Sequence, residues 1–237
     1  MEGTKSKERV QKHGEVFTPD SIVNDMLDLV DGQFDKTELE KYIDALYLEP
    51  SCGNGNFLIR ILDRKLEAVQ KLPREQWNIG LLRALSSIYG VDIQSDNVEE
   101  SKERMIELIK NGTVEILELK DKEKLGFNFE KYELTPELEK AARKILDLNI
   151  IHGNCLSGNR WTGNKAVGIE ESETTDPMIF IEYKWSNEHL TCLGHTLDDI
   201  KTDAKEDRLD NHGKSVHYTE LDKINFVYKS EMDDYDF

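Results

Sequence analysis

Hydrophobic positions along the chain follow two spacings, one typical of amphipathic helices and the other of buried strands. The two patterns alternate up to about residue 156, which is the order of a parallel α/β crossover fold. We therefore expect an α/β protein with a mostly parallel sheet and helices on both faces. The patterns predict helices near residues 19–32, 57–69, 79–85, 95–110 and 138–146, and strands near residues 45–48, 88–92, 148–151 and 178–185.

The first helix has a recognisable start at Thr18-Pro19-Asp20. The Thr18 side chain can cap the helix, Pro19 suits the first helical position, and Asp20 is favourable near the positive end of the helix dipole. We expect this helix to end near Gly32, since glycine is a frequent residue just past a helix.

The chain divides into three parts by composition. Residues 1–12 form a mildly basic arm that we expect to be flexible, and residues 13–197 carry the α/β pattern. Residues 198–237 hold twelve acidic and six basic residues, so we expect an acidic extension that is at best partly ordered. Residues 111–135 are charged and irregular, and no element is assigned to them.

Charge narrows the functions that the chain can perform. It has 31 basic and 48 acidic residues, a net charge of −17, which repels nucleic acid at long range. The densest basic cluster is in the arm, at Lys5, Lys7, Arg9 and Lys12. If the protein acts on DNA, we expect the isolated chain to bind it weakly and a specificity or partner subunit to supply basic surface.

The same sequence argues against a membrane or secreted protein. No apolar run approaches the ~18 residues of a spanning helix, and the charged N-terminus lacks the apolar core of a secretory signal. The three cysteines, Cys52, Cys155 and Cys192, are odd in number and far apart, which favours reduced thiols and a cytoplasmic location.

The strongest motif is a glycine-rich loop between the first strand and the next helix, where residues 49–57 read Glu-Pro-Ser-Cys-Gly-Asn-Gly-Asn-Phe. Gly53 and Gly55 let a ligand approach the backbone, and the following helix N-terminus attracts an anionic group. The third glycine of a dinucleotide site and the Lys-Ser/Thr of a P-loop are absent. Glu49, just before the loop, suits a cationic group of the ligand.

A second acidic position follows at the end of the next predicted strand. Asp92 is placed to accept hydrogen bonds from both hydroxyls of a ribose, and Ile93 beside it can cover one face of an adenine. Glu49 before the glycine loop and Asp92 after the next strand would together suit a ligand that consists of a nucleoside with an amino-acid tail.

Residues 49–57 resemble the S-adenosyl-L-methionine (AdoMet) motif of the DNA adenine-N6 methyltransferases of restriction–modification systems, Asp/Glu-Pro-Ala/Ser-Cys-Gly-x-Gly-x-Phe. The resemblance implies a class I, Rossmann-like methyltransferase fold with AdoMet as cofactor. The positions of this segment that it assigns to the cofactor site are Glu49, Ser51, Cys52, Gly53 and Gly55.

Three further elements resemble the same family and occur in its order. Residues 13–19 are similar to the N-terminal Gly-x-x-Phe/Tyr-Thr-Pro element, and residues 89–93 to the ribose motif with Asp92 and Ile93. Residues 151–156 resemble the Gly-Asp-x-Leu element that contacts the adenine. The resemblance thereby adds five residues to the cofactor site. Phe17, Thr18 and Pro19 would lie beside the methionine carboxylate of AdoMet. Cys155 and Asn154, which replaces the Asp of the family, would lie beside the adenine.

The chain departs from the family at its catalytic motif. Those enzymes carry Asn/Asp-Pro-Pro-Tyr/Phe, which holds a flipped adenine, whereas this sequence contains no Pro-Pro. The nearest segment is Asp176-Pro177, which precedes an apolar run rather than following one. The catalytic residues are therefore unassigned, with Asp176 and Pro177 as a weak substitute, and no room remains for a target-recognition domain.

Several of these positions also have a purely structural interpretation. Gly53 and Gly55 can form an ordinary tight turn, Asn154 can form another, and Asp92 can be an acid at a strand end on the surface. The order of the four elements along the chain favours cofactor binding over these alternatives.

No metal site is expected from the sequence. His189, Cys192 and His195 are spaced unsuitably for three ligands on one helix face, and a fourth ligand is missing. Cys52 fits a small loop residue better than a nucleophile, since no histidine is assigned to activate it.

Three functions remain open at this stage. The resemblance implies an AdoMet-dependent methyltransferase acting on adenine in DNA. The missing Pro-Pro and the acidic charge favour instead a non-catalytic AdoMet-binding protein, either a methylase-like subunit or a regulator of restriction or anti-restriction. A methyltransferase for a substrate other than DNA would not need a basic groove.

Overall fold

The structure of the protein, a computed structural model, describes residues 18–35, 37–111, 113–115, 124–126, 132–164, 167–202 and 214–223. The helices are α1 (Asp20–Asp31), α2 (Leu39–Asp44), α3 (Asn56–Val69), α4 (Trp77–Ser86), α5 (Ser95–Asn111), α6 (Pro136–Asn149) and α7 (Leu197–Thr202). The strands are β1 (Tyr47–Glu49), β2 (Ile88–Asp92), β3 (Thr113–Glu115), β4 (Lys124–Gly126), β5 (Ile150–Asn154), β6 (Asn159–Asn164), β7 (Ile169–Pro177), β8 (Ile179–Ser186), β9 (His189–Thr196) and β10 (Ser215–His217). Two 3₁₀ helices cover Arg74–Gln76 and Tyr218–Lys223.

A five-stranded sheet in the order β1-β2-β5-β6-β7 organises the molecule. Its first three strands are parallel, with Tyr47 opposite Ile88 and Gly90 opposite Ile150. Parallel neighbours need crossover connections, which α3 and α4 supply between β1 and β2. β6 and β7 extend the sheet as an antiparallel hairpin. The expected α/β fold is confirmed at this level.

The two faces of the parallel strands are covered differently. Tyr47, Ile88 and Ile150 lie in one core cluster with the buried residues of α1 to α6, such as the apolar stripe of α3. On the other face, Tyr89, Val91 and Ile151 pack against Met178 and Phe180, with Leu197 of α7 beside them. Among the described residues, the second face is therefore covered mainly by the strand segment 178–180 rather than by the expected layer of long helices.

A second sheet, β10-β9-β8, closes the molecule at the amino ends of the parallel strands. Three side-chain hydrogen bonds join it to the rest. The Tyr89 hydroxyl donates to the carbonyl of Ile181 at 2.5 Å, the Tyr183 hydroxyl to Asn149 Oδ1 at 2.9 Å, and the Trp185 indole to Ser86 Oγ at 3.2 Å. β3 and β4 form a separate two-stranded ladder.

Two arginines of α3 hold α1 in place. Arg60 forms a bidentate pair with Asp20, with distances of 2.5 and 2.6 Å, and Arg64 lies 2.7 Å from the buried Asp31. Bidentate guanidinium–carboxylate pairs fix geometry as well as charge. The beginning of α1 is thereby held close to the beginning of α3.

The structure corrects the predicted start of α1. Pro19 occupies the N-cap position with an extended backbone, and no side chain caps the helix there, so Thr18 does not serve as the cap. The amides of Ile22 and Val23 donate to the Pro19 carbonyl instead, at 3.0 and 3.1 Å. Thr18 lies one residue too early, because the extended Pro19 displaces it from the N-cap. The predicted end near Gly32 is confirmed, since Gly32 is the C-cap.

Residues 157–176, which carry no clear hydrophobic pattern, contain the β6–β7 hairpin. Its strands bury few side chains, so apolar and polar residues do not alternate and period-two analysis misses them. Gly163, with φ of 95°, lies where a Cβ would be 2.1 Å from the Glu170 carbonyl oxygen. Only glycine fits that close approach of the two strands.

The described part of the acidic extension belongs to the fold. β10 pairs with β9, and Leu221 is 1% exposed within the first core cluster. α7 itself crosses the boundary between residues 197 and 198. Among the described helices, none combines the length and the apolar character that a membrane-spanning segment needs. The predicted arm over residues 1–12 lies outside the described residues.

Candidate functional site

Three of the predicted site residues end adjacent parallel strands. Glu49 ends β1, Asp92 ends β2 and Asn154 ends β5, and these strands are neighbours in the sheet. Open α/β sheets bind ligands outside the carboxyl ends of their strands. The loops that follow the three strands therefore form the candidate site.

The glycine loop is folded tightly at the end of β1. Gly53 and Gly55 have φ of 53° and 90°, in the left-handed region that glycine adopts without strain. The Cys52 amide donates to the Val91 carbonyl, and the Gly55 amide to the Cys52 carbonyl, both at 2.9 Å. A Cβ on Gly55 would lie 2.9 Å from Ser101 Oγ of α5. The absence of a side chain at Gly55 thus serves loop packing, in addition to any approach of a ligand.

Asp92 joins this loop to the loop after β2. Its Oδ2 accepts a hydrogen bond from the Gly53 amide at 2.9 Å, and its Oδ1 accepts one from the Gln94 amide at 2.8 Å. Asp92 is only 7% exposed, so it is not an acid on the protein surface, which was the purely structural interpretation of this position. The Asn97 side-chain amide also lies 3.4 Å from Oδ1, so Asp92 connects both loops to α5.

Glu49 is a half-buried carboxylate beside the loop. Burial raises its pKa, and the Ser51 amide, 3.4 Å from Oε1, partly offsets that rise. Within the described ranges, no ion pair with a basic side chain is found for Glu49. A cationic ligand group at this point would favour the ionised form of Glu49 and lower its pKa. Ser51 itself is exposed.

Thr18 and Pro19, the described end of the N-terminal element, lie beside the same loop. The Asn56 side chain at the start of α3 donates to the Thr18 carbonyl at 3.1 Å, which brings Thr18 and Pro19 next to the glycine loop. Phe17 lies outside the described residues. The structure thus brings Thr18 close to the start of α3, 38 residues further along the chain.

The third strand contributes less to the site than expected. The Asn154 side chain accepts a hydrogen bond from the Leu156 amide at 2.9 Å. This bond stabilises a turn, in agreement with the purely structural interpretation of Asn154. Cys155 is half-buried, and its thiol pKa is raised by burial and then by the Glu49 carboxylate. The backbone carbonyl of Ile93 lies 3.1 Å from His152 Nε2. Cys155 packs against the Tyr89, Val91 and Ile151 cluster, while Asn154 stabilises its own loop.

Two charged residues that sequence analysis missed support these loops. The buried guanidinium of Arg104 donates to the Asn54 carbonyl at 2.7 Å and to Asn56 Oδ1 at 2.9 Å. Glu171 of β7 accepts from both the amide and the hydroxyl of Ser95, at 3.0 and 2.6 Å, and so caps α5. The only sequence signal for Arg104 is its position on the inward face of α5 beside Met105.

Asp176 and Pro177 do not join this group. They end β7, which lies at the opposite edge of the sheet from β1. Pro177 pairs with Asn159 of β6, which pairs with Asn154 of β5, so the segment is two strands from Asn154 and four from Glu49. Asp176 is exposed, and its amide donates to Thr174 Oγ1 at 3.2 Å. The segment therefore lies away from the Glu49 end of the site.

Cys52 packs in the core, and the segment from His189 to His195 forms no cluster suited to a metal among the described residues. Burial raises the pKa of the Cys52 thiol well above its usual range, so Cys52 is a neutral packing residue under Gly90. His189, Cys192 and His195 lie on β9, where Cys192 is fully buried, and the described part of the chain contains no cluster suited to a metal ion.

Comparison with known proteins gives no family for the chain: no family model matches it, and no curated protein matches it either.

Proposed function

We propose that the protein binds AdoMet at the carboxyl ends of β1, β2 and β5. The observation that carries the proposal is the junction of two loops through Asp92, with the half-buried Glu49 beside it. One buried acid at the ribose position and a second acid near the turn suit a nucleoside with a cationic amino-acid tail. The tight glycine loop and the two carboxylates beside it therefore support the choice of this cofactor.

Each residue has a distinct task in this proposal. Asp92 holds the ribose hydroxyls while keeping the glycine loop in place, and Glu49 attracts the ammonium or sulfonium charge. The carbonyl and backbone around Thr18 and Pro19 border the methionine end, and Ile93 and Cys155 border the adenine. The cofactor, when bound, supplies a methyl group on a sulfonium for in-line transfer. The chain contributes positioning and electrostatics.

For the activity, we propose an AdoMet-dependent methyltransferase resembling the DNA adenine-N6 enzymes. The four motifs in order support this choice. DNA binding by the isolated chain is expected to be weak, because the net charge is −17.

A second candidate is a non-catalytic AdoMet-binding subunit. It is favoured by the location of Asp176, which ends the strand at the sheet edge opposite β1. In this case AdoMet binds but the chain alone transfers no methyl group.

Calorimetry with AdoMet and with its demethylated product tests the binding proposal. Wild type should bind with one-to-one stoichiometry, and Asp92→Asn should bind at least about tenfold more weakly, because a charged acceptor is replaced by a neutral one. Asp176→Asn is the matched control and should bind like wild type. If wild type shows neither heat nor a thermal shift, the proposal is wrong.

Labelled AdoMet then separates the two candidates. Label entering adenine in DNA supports the enzyme, whereas AdoMet binding without transfer to DNA or to other offered substrates supports the non-catalytic subunit. Adding a basic partner protein is the second arm of the same assay.

A further inference from the structure

The parallel part of the sheet ends at β1 with an exposed edge. Leu46, just before β1, is 73% exposed, and Leu48, within β1, is 47% exposed, although β1 belongs to the central sheet. Leu48 lies opposite Tyr89, so its side chain is on the face that Met178 and Phe180 cover over β2 and β5. Parallel strands are almost always covered on both faces. Among the described residues, that cover stops before β1.

The backbone of β1 is also available at this edge. The Tyr47 amide donates to the Ser87 carbonyl, at 2.9 Å, on the side of β2. Successive peptide groups of a strand point to alternate sides, so the amide and carbonyl of Leu48 point outward. Within the described ranges no strand pairs with this side of β1. An outward amide and carbonyl are the groups through which an added strand binds.

A groove runs along this edge between α4 and the β8–β9 sheet. Its volume, 1360 Å³, exceeds the ~300–1,000 Å³ of typical small-molecule sites, so a polypeptide segment suits it better. Leu48 and Ile79 contribute to its apolar lining, together with Tyr89 and Phe180.

The charge of the groove indicates which polypeptide fits. Its carboxylates outnumber its basic residues: Arg83 already bonds Asp44 and Glu40, and Lys184 lies 3.5 Å from Glu182. The acidic residues lining it are Glu40, Asp44, Glu75, Glu182, Glu188 and Asp199. A second copy of this chain, with its net charge of −17, is disfavoured by repulsion. Basic flanking residues are favoured.

We propose that the β1 edge docks a β-strand of a basic partner protein, which adds to the sheet beside β1. Backbone hydrogen bonds to Leu48 supply the alignment, and apolar side chains of the added strand cover Leu48 and Ile79. Lysine or arginine residues flanking that strand lie near Glu75 and Glu188. The proposal does not depend on AdoMet binding.

A designed peptide tests the proposal directly. The probe has five alternating valine and threonine residues flanked by two lysines at each end, with a terminal fluorophore, and its binding to the full chain is followed by anisotropy. We expect saturable binding that is at least tenfold weaker for the same peptide with glutamate flanks. Hydrogen exchange at the Leu48 amide should slow when the lysine-flanked peptide is bound.

Two variants and one control locate the binding. Leu48→Lys should weaken binding at least tenfold, since lysine disfavours strand addition at an edge. Glu75→Lys should weaken binding of the lysine-flanked peptide and strengthen binding of the glutamate-flanked peptide. Because Glu75 is exposed, this variant tests the same groove even if Leu48→Lys does not fold. Leu29→Lys, at a 77% exposed leucine of α1, should change neither.

Three results would overturn the proposal. One is the absence of saturable binding, and another is equal binding by wild type and both groove variants. The third is a wild-type homodimer in sedimentation that Leu48→Lys abolishes, which would assign the edge to a second copy of the chain. Because AdoMet binding is measured separately on the same proteins, failure here leaves the cofactor proposal standing.

Discussion

The two ends of the parallel strands both contain buried charge, but they use it differently. At the amino end, Lys65 is fully buried, and its ammonium donates to the carbonyls of Ile43 and Ala45 at 2.7 Å and lies 2.8 Å from Ser87 Oγ. At the carboxyl end, Glu49 is half-buried and no ion pair is found for it in the described part of the chain. At the amino end, groups of the chain itself complete the hydrogen bonds of Lys65, which stabilises the fold. At the carboxyl end, the Glu49 carboxylate is placed where a cationic ligand group could pair with it.

The amino end completes its hydrogen bonds with other chain groups as well. The Asn149 amide donates to the carbonyls of Leu85 and Ile88, at 3.2 and 3.1 Å, and the Tyr183 hydroxyl donates to Asn149 Oδ1. Buried polar groups are stable only when they are satisfied in this way. Substitutions of the buried polar groups at this end should therefore change stability, whereas substitution of Glu49 should change binding.

The largest effect on stability is expected from Lys65→Met. The variant removes the amine that bonds the carbonyls of Tyr42, Ile43 and Ala45 and the Ser87 hydroxyl, and the buried Ala45 carbonyl loses its donor. We expect a loss of about 3–5 kcal/mol in the free energy of unfolding. Urea titration followed by circular dichroism measures the loss. Lys41→Met, at an exposed lysine paired with Glu38, is the control and should leave the stability close to that of wild type, since solvent screens surface ion pairs. Equal stability of wild type and Lys65→Met would contradict the comparison.

Gly55→Val should have the next largest effect. It forces a branched residue into a positive φ and places its Cβ against Ser101, so we expect a cost of about 2–4 kcal/mol. Loss of AdoMet binding in this variant would then reflect a disturbed loop rather than a blocked ligand. Thermal unfolding of the apoprotein separates the two, because only the loop explanation lowers the midpoint without ligand. Ser101→Gly combined with Gly55→Ala should recover part of the stability.

The pH dependence of Lys65 provides a third test. Burial lowers its pKa to about 7, from 10.5 for an unperturbed lysine. Between these values the unfolded chain binds the proton and the folded chain does not, so this group makes stability rise with pH, by at most about 1.4 kcal/mol per unit. The difference in unfolding free energy between wild type and Lys65→Met should therefore widen from pH 7 to 9.5. A constant difference would indicate that Lys65 keeps its usual pKa.

Glu49→Gln should have the smallest effect on stability. The raised pKa of Glu49 means that folding disfavours its charge, so the neutral variant should be as stable as wild type within about 0.5 kcal/mol or slightly more stable. AdoMet binding should nevertheless weaken, because a cationic ligand loses its counter-charge. Calorimetry and denaturation on the same sample measure both. A destabilised variant with unchanged binding would make Glu49 a structural residue like those at the amino end.

Sequence analysis predicted the strands and helices around the glycine loop because strong local signals coincide there. The apolar periodicity of α3 is visible in the sequence, and glycine at positions 53 and 55 permits the positive φ that the structure shows. The contacts that assemble the site join distant segments, such as Gly53 with Asp92 and Ser95 with Glu171. No local pattern encodes them, and the two-sided polar strands β6 and β7 were missed for a similar reason.

The hydrogen bond from the Tyr89 hydroxyl to the Ile181 carbonyl has a consequence for the order of folding. The two residues are 92 positions apart, whereas α3, α4 and β2 follow β1 closely in the chain. Closing a long loop has an entropic cost that local contacts avoid, and such closures slow folding. We expect the segment from β1 to β2 to collapse first and the β8–β10 sheet to attach late. Until it attaches, the face of β2 that carries Tyr89 is exposed to non-native association.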